Sequence, residues 1–123
     1  MGQIDSARCV LVLEDSVLVA LAIEAALADR GFEAIVAGSL GAAEERLGQS
    51  RPVAALLDLH LPDGNALALA GKLDAMGCKV ALCSGMDVDM VPDGFDFARR
   101  FRKPVAADVL ADWVASVAVA PGA

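Results

Sequence analysis

The stretch CVLVLED, residues 9–15, decides the fold. Its first five residues form a short, continuous apolar run, and its last two, Glu14 and Asp15, are acids. An apolar run of this length without polar alternation predicts a strand that is buried on both faces, as in a parallel sheet covered by helices. The segment that follows, Ser16 to Arg30, has apolar residues four apart and stops at Gly31, so we predict a helix there.

The same strand-and-helix pattern continues along the chain. We predict further strands at residues 33–37, 53–58 and 79–83 and within 97–102, and helices at 40–49, 66–76 and 106–117. Such alternation implies right-handed β-α-β units and an α/β fold, with a five-stranded parallel sheet and helices on both of its faces. The segment 86–98 contains Pro92, Gly94 and four aspartates, so the fourth helix is expected to be short or irregular.

Length and composition set limits on the function. The 123 residues fit a single domain, with its core at about residues 8–117. The formal net charge of −7 argues against nucleic acid as a partner, because nucleic acid favours a basic patch. The chain shows neither a membrane-length apolar segment nor a basic-then-apolar leader, so we expect no membrane role and a cytoplasmic location. Cys9, Cys78 and Cys83 lie in or beside apolar runs and are expected to be buried, reduced thiols.

The helix predicted after the first strand has two apolar faces. One face, with residues four apart, is expected to pack on the sheet. The second face is formed by Leu18, Leu21 and Ala25. Two interpretations of it stay open: additional packing against the core, or an exposed docking surface for a helix of a partner protein.

Chemically functional residues follow four of the predicted strands directly. They are Glu14-Asp15, Asp58, Ser84-Gly85 and Lys103-Pro104. Because ligand sites of open parallel sheets form just beyond the carboxyl ends of the strands, we expect these residues to converge at one edge. Three carboxylates there suit a hard cation, and a lysine opposite them suits an anion. Each piece is a weak signal by itself, but their joint occurrence at strand ends points to phosphoryl chemistry on a carboxylate.

Asp58, at the end of the middle strand, is the expected nucleophile, since a carboxylate that attacks a phosphoryl group forms an acyl phosphate. A divalent cation neutralises negative charge and orients the phosphoryl oxygens, and Mg²⁺ prefers oxygen ligands. The predicted magnesium ligands are the carboxylates of Glu14, Asp15 and Asp58 and the backbone carbonyl of His60. Without a cation the three carboxylates repel one another, so we expect magnesium binding to stabilise the fold.

Three further residues are predicted to bind the phosphoryl group. Lys103 would pair with the phosphoryl oxygens as a mobile point charge. Ser84 would donate a hydrogen bond to the same group, and Gly85 would let the backbone approach it closely. Movement of Ser84 toward the phosphoryl group would couple the site to the surface near the fourth and fifth strands.

Taken together, these motifs resemble the receiver domain of response regulators, the CheY-like phospho-acceptor module of two-component signalling. The resemblance extends from about Arg8 to Val117. It implies a flavodoxin-like, doubly wound sheet with strand order 2-1-3-4-5, Mg²⁺ as cofactor, and Asp58 as the phosphorylated residue. It further implies a cis peptide bond between Lys103 and Pro104. The donor that it implies is a phosphohistidine on a histidine kinase or a histidine phosphotransfer protein.

Two positions beside the lysine depart from the pattern of that family. An aromatic residue is usual three positions before the lysine, where this chain has Arg100, with Phe101 next to it. Arg100 is therefore expected to modulate the switch, and coupling between Ser84 and an aromatic rotamer is in question. Phenylalanine is common after the proline, where this chain has Val105.

His60 is the only histidine and lies two residues after Asp58. In the family that the chain resembles, this position borders the entrance for attacking water. Two interpretations stay open: His60 tunes the lifetime of the phosphoryl group, or it is an exposed loop side chain of which only the carbonyl is used.

We therefore expect a stand-alone receiver that catalyses its own phosphorylation and dephosphorylation, is not otherwise an enzyme, and changes its affinity for a downstream protein. It would act as a diffusible messenger, a phosphorelay intermediate or a phosphate sink. One alternative is a pseudo-receiver that binds partners regardless of phosphorylation; the complete set of acids, hydroxyl and lysine argues against it. The other is a small phosphohydrolase with Asp58 as nucleophile. Such enzymes usually carry a second acid two residues later, where this chain has His60.

Overall fold

The main sheet of the protein is five-stranded and parallel. The computed structural model describes residues 8–85 and 91–118. The strands in chain order are β1 (Cys9–Leu13), β2 (Glu33–Ala37), β3 (Ala54–Asp58), β4 (His60–Leu61), β5 (Gly64–Asn65), β6 (Lys79–Ser84) and β7 (Arg99–Arg102). Five of them form the sheet in the order β2-β1-β3-β6-β7, while β4 and β5 form a separate antiparallel hairpin. Since β6 and β7 are the fourth and fifth strands of the sheet, the predicted 2-1-3-4-5 order is confirmed.

Four helices accompany the strands within the described residues: α1 (Val17–Asp29), α2 (Leu40–Leu47), α3 (Leu67–Ala75) and α4 (Ala107–Val117). α1 and α2 begin after Ser16 and Ser39, whose hydroxyls accept backbone N–H bonds as N-caps. Between β6 and β7, residues 91–98 form turns and contain no helix, which fits the expected irregularity. The preceding part of that predicted helix, residues 86–90, lies outside the described residues. None of the helices in the described ranges is long and apolar enough to cross a membrane.

Alternate residues of the central strands face opposite sides of the sheet and build two apolar layers. In β1, Leu11 and Leu13 belong to the layer that packs against α2 and α3, whereas Val10 and Val12 belong to the layer that packs against α1 and α4. β3 and β6 divide their side chains between the two layers in the same way. Helices therefore cover both faces, as predicted, and the three cysteines are buried in these layers. The edge where β1, β3 and β6 end is left for polar side chains.

The second apolar face of α1 is exposed to solvent. Leu18 is 80% exposed and Leu21 54%, and Ala25 is exposed as well, whereas Ile23 and Leu27 are buried against the sheet. The interpretation that this face adds to the core is therefore wrong. The exposed leucines lie on the helix that begins directly after the acidic end of β1.

Candidate functional site

Two neighbouring strands bring three carboxylates to the same edge of the sheet. β1 ends directly before Glu14 and Asp15, β3 ends at Asp58, and the two strands pair in parallel. One oxygen from each carboxylate lies within 4.8 Å of the others. Glu14 and Asp58 are buried, whereas Asp15 is exposed. The three acids therefore converge, as their places at strand ends predict.

Hydrogen bonds fix the position of Glu14. Its backbone N–H donates to the carbonyl of Ala37 at 3.0 Å, which continues the pairing of β1 with β2 past the end of β1. Its Oε2 accepts from the backbone N–H of Ser16 at 3.0 Å, and its Oε1 accepts from the ammonium of Lys103 at 3.3 Å. Both carboxylate oxygens of Glu14 are thus engaged by the protein, and Asp15 is the acid that faces solvent.

Lys103 is the cation of the cluster. Its Nζ lies 3.0 Å from Asp58 Oδ2 and 3.3 Å from Glu14 Oε1, so it bridges acids from two strands. Its backbone N–H donates to the carbonyl of Ser84 at 2.8 Å, and its peptide bond to Pro104 is cis, as the resemblance implies. Partial burial lowers the pKa of Lys103, but the hydrogen bond and charge of Asp58, followed by those of Glu14, outweigh it and raise that pKa. The side chain is therefore a full positive charge at neutral pH.

Ser84, the last residue of β6, carries a buried hydroxyl. The residue is only 2% exposed, and its Oγ has no hydrogen-bond partner among the described residues. A buried polar group without a partner costs roughly 1–3 kcal/mol, so the hydroxyl has a strong preference for any acceptor that enters the site. A Cβ atom on the neighbouring Gly85 would meet no described atom within 4 Å. Packing within the described protein therefore does not require glycine there, and its role toward a ligand stays a prediction.

Backbone hydrogen bonds hold the loop after Asp58 between neighbouring elements. The N–H of Leu59 donates to the carbonyl of Cys83 at 2.9 Å, which ties the loop to β6. The carbonyl of Leu59 accepts from the N–H of Ala66 at 2.9 Å and so closes the loop at the start of α3. Between these anchors lies the antiparallel β4–β5 hairpin.

Asp63, at the tip of the hairpin, supports the site in a way that sequence reasoning missed. Its Oδ1 accepts from the N–H of Leu40 at 3.0 Å, and its Oδ2 accepts from the N–H of Gly41 at 3.1 Å. These two hydrogen bonds at the N-terminus of α2 lower the pKa of Asp63. They tie the loop after Asp58 to a helix more than 20 residues earlier in the chain. No local motif signals a contact across that separation.

His60 is exposed and lies opposite Asn65 in the hairpin. The hairpin begins two residues after Asp58, which places the backbone of His60 near the acidic edge. Its assignments as a carbonyl ligand and as a modulator of the phosphoryl lifetime stay predictions.

Arg100 and Phe101 occupy opposite faces of β7. Phe101 is buried in the layer shared with α1 and α4, where its ring meets that of Trp113 edge-on at 6.3 Å between centroids. Because neighbouring residues of a strand point to opposite faces, Arg100 points to the other side. Phe101 therefore does not take the place of the aromatic residue that is usual at position 100. The modulating role of Arg100 stays a prediction.

The donors at this edge have the chemistry that magnesium prefers. Mg²⁺ takes oxygen ligands and is usually bound by one or two carboxylates together with water. Within residues 8–85 and 91–118, the group of side chains that could hold a metal ion is Glu14, Asp15 and Asp58. The exposed carboxylate of Asp15 leaves space for water ligands, so this donor set fits the ion.

Known structures share this architecture over most of the chain, although no family model and no curated protein matches the sequence. A CheY-like receiver domain from Methylobacillus flagellatus has 25% identity and a TM-score of 0.76, over 89% of this chain and 98% of that chain. SdrG from Sphingomonas melonis Fr1 has 24% identity and a TM-score of 0.74, over 94% of this chain and all of that one. CheY4 of Vibrio cholerae, a chemotaxis response regulator, has 16% identity and a TM-score of 0.75, over 89% and 97% of the two chains.

The chain therefore has the fold of a CheY-like response regulator receiver domain. The resemblance drawn from the strand-end motifs is confirmed at this level. The five-stranded parallel sheet and its strand order are those of the receiver architecture.

The contact between Asp63 and α2 predicts a pH-dependent stabilisation. At neutral pH we expect wild type to have the highest melting temperature, Asp63→Asn a lower one and Asp63→Ala the lowest. Asparagine keeps one carbonyl acceptor for the N–H groups of α2, whereas alanine keeps none. The folded-state pKa of Asp63 lies below the ordinary value of 3.8, so the stabilisation is present above that value. The stabilisation is lost as the pH falls through the folded-state pKa. In that pH range the difference in melting temperature between wild type and Asp63→Ala should become smaller.

Thermal unfolding followed by circular dichroism measures these differences. Asp93→Ala serves as the control, because Asp93 lies in an exposed turn and makes no such contact with the part of the chain that the structure describes. Equal melting temperatures for wild type and Asp63→Ala at neutral pH would contradict the capping role. A melting-temperature difference that stays the same in acid would contradict the claim that the stabilisation depends on the ionised carboxylate of Asp63.

Proposed function

We propose that the protein is a phospho-acceptor response regulator that takes a phosphoryl group from a phosphohistidine onto Asp58. The observation that carries the proposal is the position of Lys103. Its ammonium bridges Asp58 and Glu14, and its backbone is bonded to Ser84, whose buried hydroxyl has no partner among the described residues. Transfer of a phosphoryl group to an aspartate uses three groups. They are a nucleophilic carboxylate, a cation and a hydrogen-bond donor that still needs an acceptor.

The transfer exchanges a P–N bond for a P–O bond. A carboxylate oxygen of Asp58 attacks the phosphorus while the bond to the donor imidazole breaks, and the imidazole nitrogen keeps the electron pair. Asp58 becomes an acyl phosphate, and its carboxylate charge is replaced by the charge of the phosphoryl oxygens. Lys103 can follow that charge, since its Nζ already lies 3.0 Å from Asp58. The Oγ–H of Ser84, which has no acceptor within residues 8–85 and 91–118, gains one in the phosphoryl group.

Magnesium, when bound, supplies the positive charge that lets an anionic phosphoryl group approach three carboxylates. The residues that would hold it are Glu14, Asp15 and Asp58, together with the backbone carbonyl of His60. The part played by the protein itself is to fix these oxygens. Glu14 is held by Ser16 and Lys103, and the loop after Asp58 is held by its bonds to β6 and α3.

The exposed face of α1 is the proposed docking surface for the partner that carries the phosphohistidine. Leu18 and Leu21 are exposed on a helix that begins two residues after Asp15. A helix of a partner that covers these leucines would gain from burying their apolar surface and would bring its histidine to the acidic edge. The partner is a histidine kinase or a histidine phosphotransfer protein, and the phosphorylated state acts on a downstream protein.

Intact mass spectrometry tests the proposal. The full chain is incubated with Mg²⁺ and a small-molecule phosphodonor, quenched rapidly, and compared with Asp58→Asn. We expect one phosphoryl adduct on the wild type that requires Mg²⁺ and is absent from the variant. A wild type without adduct, also when candidate kinases are supplied, would overturn the proposal in favour of a phosphorylation-independent pseudo-receiver.

If the partner docks on α1, changes in this surface should affect the rate of phosphoryl transfer from a histidine protein but not from a small-molecule phosphodonor. Replacing both Leu18 and Leu21 by alanine should slow transfer from a phosphorylated histidine protein by about tenfold, which corresponds to roughly 1.4 kcal/mol of lost contact. Phosphorylation by a small-molecule donor should stay at the wild-type rate, because Asp58 and its neighbours are unchanged.

Rates of adduct formation with both donors check this. Val109→Ala, an exposed apolar residue of α4 with 48% exposure, is the matched control and should behave as wild type with either donor. Unchanged transfer from the histidine protein to the double variant would contradict docking on α1.

A further inference from the structure

A cavity of about 350 Å³ extends from the charged edge into the layer between the sheet and helices α1 and α4. Glu14, Asp58 and Lys103 form its polar rim. Its interior is lined by apolar side chains from β1, β3, α1 and the α4 region: Val12, Val19, Ile23, Leu56, Val105 and Leu110. The proposed phosphoryl chemistry uses the rim only, so the apolar interior is a feature that this function does not explain.

None of the described residues that line the interior carries a charge. Cys83 is the polarisable group among the apolar lining residues, and burial raises the pKa of its thiol to about 12. The thiol is therefore neutral at physiological pH. An occupant of the interior must be apolar, because a charged group there would lose its hydration without gaining a partner.

The volume fits an aromatic ring system. Binding pockets for small molecules usually measure about 300–1,000 Å³ and combine apolar walls with a few polar groups. An apolar cavity of about 150 Å³ is enough to take up benzene. A space of about 350 Å³ therefore has room for a bicyclic ring with a short side chain.

The charged groups at the rim determine which charge the side chain of the ligand can carry. Glu14 and Asp58 face the ammonium of Lys103, and Asp15 adds a third carboxylate nearby. Among the described residues at the rim, acidic groups outnumber basic ones, so the rim attracts a cation and repels an anion.

We propose that this cavity is a binding site for a compact bicyclic aromatic amine, with the ring in the apolar interior and the ammonium at the acidic rim. The ring contacts Val105, which follows Lys103 and Pro104 in the chain, so an occupied cavity adjoins the segment that carries the site lysine. The site is a property of the unphosphorylated chain, and its test is independent of phosphoryl transfer.

Three probes with one ring and different charges test the proposal by nuclear magnetic resonance titration of the full chain without divalent cations. They are tryptamine, indole and 3-indolepropionate, which carry a cationic, a neutral and an anionic group respectively. We expect tryptamine to bind with a Kd of roughly 0.1–1 mM, as its size allows, with ring contacts to the methyl groups of Ile23 and Leu110. Indole should bind more weakly, and 3-indolepropionate at least about tenfold more weakly than tryptamine.

A pair of phenylalanine substitutions locates the binding. Val105→Phe fills the cavity and should weaken tryptamine binding at least about tenfold. Val109→Phe adds the same ring at an exposed position of α4 outside the cavity and should leave binding unchanged. If Val105→Phe does not fold, as judged by circular dichroism, Val19→Phe at the wall of the cavity replaces it.

Three results would overturn the site. They are the absence of saturable shifts with any probe, equal binding of tryptamine and 3-indolepropionate, and wild-type affinity in the cavity-filling variant. Ring contacts confined to the exposed leucines of α1 would likewise exclude the cavity and assign the binding to the docking surface.

Discussion

Three carboxylates held at one edge of the sheet, with one ammonium among them, are the constraint on which the site depends. Glu14 and Asp58 cannot move apart, because their strands are paired in parallel and buried on both faces. Like charges repel more strongly in a buried environment than in water. Lys103 reaches both acids and reduces this repulsion, and the exposed Asp15 keeps the cluster acidic. The edge therefore favours a bound cation and, once that charge is present, an anion at Asp58.

Lys103, which pairs with the acids through its side chain, is also bonded to β6 through its backbone. Its N–H bonds to the carbonyl of Ser84, whose hydroxyl is buried and has no partner among the described residues. A new anionic group on Asp58 would give Lys103 and Ser84 a common acceptor, and both lie at the ends of the β6–β7 pair. Phe101 does not stand in for the aromatic residue that the receiver resemblance implies at position 100, because it is packed against Trp113 on the other face of β7. A modulating role of Arg100, on the opposite face of β7 from Phe101, stays a prediction.

The sheet could be predicted because its strands are continuous apolar runs that end in polar residues. β2 has its predicted bounds, Glu33–Ala37, and Asp58 ends β3 as predicted. The convergence of the acids followed from the parallel order of the strands. The contact of Asp63 with α2 could not be predicted, because it depends on how a distant loop meets a helix end. The exposure of Leu18 could not be predicted either. The spacing of apolar residues predicts an apolar helix face, but it does not show whether that face is buried or exposed. The cavity beside Val105 depends on the packing of several elements at once.

The stabilisation of the fold by Mg²⁺ tests most directly the claim that the acidic cluster is built to hold a cation. Thermal unfolding of wild type and Asp15→Asn is followed as Mg²⁺ is raised at constant ionic strength. Asp15 is exposed, so its replacement leaves the core intact while removing one of the predicted magnesium ligands. We expect the free energy of unfolding of the wild type to rise by about 2.7 kcal/mol at a Mg²⁺ concentration 100 times its Kd. Asp15→Asn should need much more Mg²⁺ for the same gain. A wild type whose melting temperature does not respond to Mg²⁺, or a variant that responds equally, would contradict this claim.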